Sequence, residues 1–145
     1  MKILYVASEA APYAASGGLG DVMGSLPQEI KAVTGGEVGV ILPLYSSISS
    51  AYRERMTLVD TFTLAYGWRK SYCGIYRLTE GGVDWFFVDN EQYFKRDSMY
   101  GQHDDGERYA YFCLAVVEFM LRTDYIPDVL HANDWQTALS VIYLK

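Results

Sequence analysis

The first 43 residues leave this chain few folds to choose from. Lys2-Ile3-Leu4-Tyr5-Val6-Ala7 is apolar after its lysine and does not alternate, the pattern of a parallel strand buried on both faces. Val22, Met23, Leu26, Ile30 and Val33 then fall at helical spacing. Thr34-Gly35-Gly36 stops the helix, and Val38-Gly39-Val40-Ile41-Leu42 forms a second buried run ended by Pro43. Strand, crossover helix and strand in so short a span make a βαβ unit with a right-handed crossover. Pro27 complicates the helix, because proline in a helix interior costs roughly 3 kcal/mol. The expectation is a short first helix, with Pro27 near the first position of a second segment.

Between strand and helix lies Ala14-Ala15-Ser16-Gly17-Gly18-Leu19-Gly20-Asp21-Val22. The glycines remove side-chain bulk, so a ligand or another stretch of backbone can approach the main chain. A helix starting near Gly20 leaves its first N–H groups unpaired and partly positive, which suits a phosphate or sugar oxygen. Two readings stand at this point, a ligand cradle and a plain tight turn.

Farther along, Thr57–Tyr66 and Lys70–Leu78 are rich in Thr and aromatic residues with partial alternation. Thr79-Glu80-Gly81-Gly82 supplies hairpin turn chemistry before Val83-Asp84-Trp85-Phe86-Phe87-Val88. Residues 56–88 therefore read as β-rich, with an antiparallel hairpin whose last strand rejoins the main sheet. Residues 89–106 are polar and irregular, a length of loop that is often functional. Tyr109, Phe112, Cys113, Val116, Val117 and Met120 then mark a helix, with Asp105 as its cap. Pro127–Ala132 reads as another buried strand and Asp134–Tyr143 as the helix after it. Nothing in the last residues resembles a domain end, so the chain is expected to be a fragment.

A net charge of −6 argues against nucleic acid or an anionic membrane as the main partner, though not against a phosphorylated ligand. Cys73 and Cys113 are too few for a disulfide framework and read as free thiols in a reducing compartment. No Cys/His metal pattern, signal peptide or membrane-length apolar run is present, so the expectation is a soluble, cytoplasmic protein.

In an open parallel sheet, ligands bind at the carboxyl ends of the strands. The glycine turn, the loop after residue 88 and His131-Ala132-Asn133-Asp134-Trp135 all fall there. Each residue also has a plainer role. Asp134 serves as a helix cap, His131 as a buried, satisfied histidine, and Asp21 as a partner of the helix dipole. Tyr100 can stack on a sugar or base, or simply pack, and Glu107-Arg108 reads as a solvated pair. No nucleophile elbow supports a hydrolase triad, spacing alone identifies no glycosidase carboxylate pair, and G-x-G-x-x-G is absent.

In combination and in this order, the motifs carry a resemblance. Ser16-Gly17-Gly18-Leu19-Gly20-Asp21-Val22, Arg96 through Tyr100, Glu107-Arg108, and Asp128-Val129-Leu130-His131-Ala132-Asn133-Asp134-Trp135-Gln136 resemble the N-terminal domain of bacterial glycogen synthases and plant starch synthases. Lys2 through Glu9 with Pro12, and Leu42-Pro43-Leu44-Tyr45, fit as well.

The resemblance implies an α/β, Rossmann-like domain of GT-B type, three-layered, with a mostly parallel sheet and a β-hairpin insertion. Residues 1–145 would be part of the N-terminal domain, without the C-terminal nucleotide-binding domain. It implies retaining transfer of glucose from ADP-glucose, or UDP-glucose in some relatives, to the non-reducing end of an α-1,4-glucan, with no metal or cofactor. Asp21 and Asp134 would act at the catalytic centre, and Ser16, Gly17, Gly18, Tyr100 and His131 would bind substrate. Two alternatives stand beside it: a non-catalytic glucan- or nucleotide-sugar-binding module, and a related glycosyltransferase with another acceptor. One departure is visible. Where the family has Lys ahead of Thr-Gly-Gly, this chain has Ala15 and Ser16. That leaves the helix dipole and backbone donors to meet the phosphates. The remaining catalytic groups of such enzymes fall beyond Lys145, so the chain alone is expected to be inactive.

Overall fold

In a computed structural model that describes residues 1–144, the two unalternating runs become neighbouring parallel strands. They are β1 (Lys2–Val6) and β2 (Glu37–Pro43), joined through helix α1 (Gly18–Thr34). A one-turn helix, α2 (Ser50–Arg53), leads into β3 (Thr57–Tyr66), β4 (Arg69–Glu80) and β5 (Val83–Asp89). After a second one-turn helix, α3 (Glu91–Phe94), come α4 (Asp105–Thr123), β6 (Val129–Ala132), a 3₁₀ turn over Trp135–Thr137 and α5 (Leu139–Tyr143).

All six strands share one sheet in the order β3-β4-β5-β2-β1-β6. The β6-β1-β2-β5 portion is parallel, while β3-β4 and β4-β5 are antiparallel. The hairpin's last strand does rejoin the main sheet, and β5 is where pairing changes from parallel to antiparallel. Both faces are covered. Phe86 of β5 meets Phe119 of α4 with ring centroids 4.7 Å apart. On the other face Trp85 and Phe87 meet Tyr13, at 5.0 and 5.3 Å. This is the three-layer α/β architecture expected.

Several local expectations need correction. Pro27 does not break α1, which runs unbroken to a left-handed Gly35 (φ 66°). The proline ring lies on the buried face with Gly20 and Met23, so tertiary burial offsets the lost backbone bond. That rotates the buried stripe, and Val33 is left 82% exposed. Residues 89–106 are not wholly irregular, since α3 sends Tyr93 and Phe94 into the core. β6 is an edge strand and only half-buried, because among the described residues it pairs with β1 alone. The helix expected over Asp134–Tyr143 divides into the 3₁₀ turn and α5.

Cys73 and Cys113 are free and buried, and burial pushes their thiols up to about 12 and about 11. Among the described residues, no helix is long and apolar enough to cross a membrane.

Candidate active site at the exits of β1 and β6

Where β1 ends, the chain turns over the head of α1. Ser8 and Glu9 are buried as it leaves the sheet. A short bridge pairs Ala10 with Ala14, and the Ala11 N–H donates to the Gly20 carbonyl at 2.9 Å. The Glu9 carboxylate closes this loop: one oxygen, Oε2, accepts the Ser16 N–H at 2.5 Å and the Ser16 hydroxyl at 3.0 Å.

The glycines of the turn divide into two roles. A Cβ on Gly20 would lie 2.5 Å from the Ala15 Cβ, so that glycine is there for packing. A Cβ on Gly17 or Gly18 would meet nothing within 4 Å. Among the described residues, the space a small side chain would take there is open. The helix begins at Gly18, two residues before the position expected, and no side chain caps it. Its first backbone bond runs from the Asp21 N–H to the Gly17 carbonyl at 3.4 Å, so the N–H groups ahead of Asp21 have no partner within the helix. Asp21 is exposed in the first turn of α1.

β6 pairs with β1 in parallel, so the two strands leave the sheet side by side. The Asn133 side chain ties the two strands together, with Nδ2 donating to the Val6 carbonyl at 3.0 Å and to the His131 carbonyl at 3.1 Å. The next residue, Asp134, has φ 68° and ψ 179°, a backbone region that is almost exclusively glycine's. Holding an aspartate there costs about 1–3 kcal/mol. Its Oδ1 accepts the Trp135 N–H at 2.8 Å, so Asp134 does cap the turn, and it remains exposed. His131 is not buried. It is exposed on the sheet edge, its ring 5.0 Å from that of Tyr5, because no strand beyond β6 covers it among the described residues.

The loop between α3 and α4 forms the third wall. The Tyr100 hydroxyl lies 2.6 Å from the Ser8 hydroxyl, at the exit of β1. Burial is the main reason the Tyr100 phenol is held above its usual range, and the carboxylates of Glu9 and Asp134 add to the effect. Tyr45, buried deep, is pushed well up, and Tyr109 rises to about 12. Tyr45 donates to the Ser8 carbonyl at 2.6 Å and Tyr109 to the Met99 carbonyl at 2.7 Å. These phenols are protonated at neutral pH and act as donors rather than bases.

Arg108 is wholly buried, contrary to the expected solvated pair. It donates to the Tyr93 carbonyl (2.6 Å), the Met99 carbonyl (3.0 Å) and Asp105 (2.8 Å). Asp105 does not cap α4; its carboxylate accepts the N–H groups of Gly101 and Gln102 and so shapes the loop. Glu107 turns outward to Arg69 of β4. Arg96 is committed to Asp104 through two 2.9 Å bonds.

The structure thus gathers Ser16, Gly17, Gly18, Tyr100 and Asp134 around one exit, with Asp21 at its edge and His131 set back against Tyr5. Sequence reasoning names Glu9 and Arg108 within the resembling stretches but gives neither its structural part in the site. An acidic residue directly at a strand exit, and an arginine heading an apolar helix, were the available signals. Trp135, half exposed and edge-on to Tyr109 with centroids 5.7 Å apart, adds an aromatic surface beside Asp134. The mouth is acidic: Glu9, Asp21 and Asp134 contribute charge, while the arginines of the region are already paired.

Comparison with known proteins bears on this site. The profile of a family described as the starch synthase catalytic domain matches residues 2–145. The chain is 52% identical over 138 residues to a glycogen synthase of Lactobacillus acidophilus, covering 95% of this chain and 29% of that protein. It is 46% identical over 145 residues to one of Anoxybacillus flavithermus, covering all of this chain and 30% of that protein. The solved catalytic domain of starch synthase IV from Arabidopsis thaliana, bound to ADP and acarbose, superposes with a TM-score of 0.85 at 30% identity. That match covers 96% of this chain and 29% of the other.

Proposed function

Since this chain belongs to the starch synthase catalytic-domain family, we propose that it forms one wall of the cleft of a glucan synthase. In that reading residues 1–145 are part of the N-terminal Rossmann-like domain of an enzyme that transfers glucose from ADP-glucose to an α-1,4-glucan, with retention. The chain spans about 30% of the length of the relatives it matches, so the opposite wall belongs to a further domain. The observation that carries the reading is the pairing of two features on adjacent strand exits: an uncapped helix head under open glycines, and a strained aspartate beside it.

Each residue has a physical part. The N–H groups above Gly17 and Gly18, with the partial charge of the α1 terminus, face the donor's diphosphate and sugar. Asp134 and Asp21 present carboxylates toward the glucosyl carbon, where positive charge develops as the nucleoside diphosphate leaves. Tyr100 and Trp135 offer aromatic faces, and His131 contributes from the sheet edge. A mouth carrying three carboxylates does not by itself suit a diphosphate, so the neutralising cations are supplied from the facing domain. The free, buried thiols fit a cytoplasmic protein.

Calorimetric titration tests the reading. ADP-glucose is expected to bind the 145-residue chain weakly, with amide shifts at Gly17 and Gly18, and no glucan elongation is expected without the facing domain. Binding of maltoheptaose with none of ADP-glucose or ADP would replace the synthase reading with that of a sugar-binding module.

A further inference from the structure

Ser8 is wholly buried where the chain leaves β1, and both its carbonyl and its hydroxyl are committed. The carbonyl accepts the Tyr45 hydroxyl at 2.6 Å. The Ser8 hydroxyl lies 2.6 Å from that of Tyr100 and, among the described residues, has no other hydrogen-bond partner. One of these two hydroxyls donates and the other accepts, and burial decides which. If Tyr100 donated, the Ser8 proton would be left without an acceptor in a place water does not reach, at the desolvation cost of a buried, unmade bond. If Ser8 donates, both groups are satisfied, because the part-exposed Tyr100 phenol can send its own proton outward.

The loop leaves that phenol little other freedom. The Met99 carbonyl just before it accepts from Arg108 and Tyr109. The Tyr100 carbonyl accepts the Ser98 hydroxyl at 2.6 Å, and the Gly101 N–H just after it donates to Asp105 at 2.8 Å. The Tyr100 ring lies against that of Tyr109, centroids 6.0 Å apart. A phenolic O–H lies in the plane of its ring and has two orientations there. With the Ser8 proton on one side of the oxygen, the O–H takes the other. Burial above all, and then the Glu9 and Asp134 carboxylates, keep this phenol protonated. In a mouth where Ala15 offers no charge and Arg96 and Arg108 are already paired, an aimed neutral donor is what the β1 exit can present to an acceptor oxygen.

We propose that Ser8 is a positioning residue: by donating to the Tyr100 oxygen it turns the phenolic O–H into the candidate site, where that O–H donates to an oxygen of the sugar nucleotide. The proposal rests on the synthase reading above. It adds to that reading one hydrogen-bond donor of stated direction, and the buried residue that aims it.

A double-mutant cycle on the 145-residue chain, with ADP-glucose affinity read by NMR titration, tests it. Tyr100→Phe removes the donated proton and is expected to weaken binding about five-fold. Ser8→Ala keeps the phenol but frees its O–H to turn away, and is expected to weaken binding about three-fold. In the Tyr100→Phe background the same Ser8→Ala change is expected to have no effect, which a general loosening of the strand exit would not produce. In the unaltered chain, a slowly exchanging hydroxyl proton coupled to the Ser8 β protons is expected close to the Tyr100 ring. Assignment of that proton to Tyr100 overturns the proposal. So does an equal Ser8→Ala loss in both backgrounds. An unchanged affinity in Ser8→Ala, with Gly17 and Gly18 still answering ADP-glucose, overturns the role of Ser8 and leaves the synthase reading standing. No binding of ADP-glucose to the unaltered chain overturns both.

Discussion

A single carboxylate oxygen, Oε2 of Glu9, accepts both the backbone N–H and the hydroxyl of Ser16, at 2.5 and 3.0 Å. Glu9 is only 4% exposed, so the glycine turn is held from beneath by a buried anion. Glu9→Ala removes the one acceptor that both bonds share, with an expected loss of about 2–4 kcal/mol. Glu9→Gln keeps one acceptor and is expected to lose about half as much. Urea unfolding checks the order, and hydrogen exchange at Ser16 should accelerate in both variants.

Ala15 is exposed beside this turn, at the place where relatives of this kind were expected to carry lysine. Ala15→Lys puts a point charge next to the open helix head. It is expected to tighten ADP-glucose binding about three-fold, the value of one exposed ion pair. The gain should disappear as salt is raised, because exposed charges are screened. A gain independent of ionic strength would count against a phosphate at this position.

Asp134 separates backbone strain from function. With φ at 68° and ψ at 179°, Asp134→Gly relieves strain while losing the bond to the Trp135 N–H. Asp134→Ala loses that bond and keeps the strain. The glycine variant is expected to be the more stable of the two by about 1–2 kcal/mol, and both should lose ADP-glucose binding. Equal unfolding midpoints for the two variants would sink the strain argument.

Arg108 fastens the loop that carries Tyr100. Arg108→Met leaves two buried carbonyls and Asp105 without their partner, an expected cost of about 3–5 kcal/mol. For a chain of this size the melting temperature should fall by roughly 10–15 °C. Differential scanning fluorimetry reads it directly.

Asp104 provides the pH prediction. Its two hydrogen bonds from Arg96 hold the carboxyl below the usual carboxylate range. As pH falls, the unfolded chain takes up this proton first. The contribution to stability is therefore complete above the unfolded value, about 3.9, and is lost as pH drops through the depressed folded value. A carbon-detected titration of the Asp104 carboxyl should show the low midpoint, and Arg96→Ala should return it to the ordinary range.

Parts of the molecule were legible from the sequence for specific reasons. β1, β2 and β5 lie inside a sheet covered on both faces, so their apolar runs need no alternation. The apolar stripe of α4 faces one core and shows its period. What stayed hidden depends on neighbours far away in sequence. Pro27 carries a local penalty, and only its place opposite the core shows why α1 continues. Arg108 at the head of a helix looks solvated until the loop closes over it. His131 lies in an apolar run, and such a run does not announce whether its strand lies at the centre or the edge of a sheet. The glycine turn and the Asp128–Gln136 stretch stand out as motifs, whereas the role of Glu9, which holds the turn from below, shows only once Ser16 folds back onto it.

The pairing of β1 with β6 also governs how the site comes into being. Ile3 lies opposite Val129, and the Asp128 N–H donates to the Lys2 carbonyl at 2.7 Å. β1 and β2 can pair as soon as the first 43 residues are synthesised, whereas β6 must wait for residues 129–132 to emerge. Closing so long a loop is slow and entropically costly. The glycine turn is therefore made early and Asp134 reaches it late, so a nascent chain holds half of its cleft with nothing yet opposite.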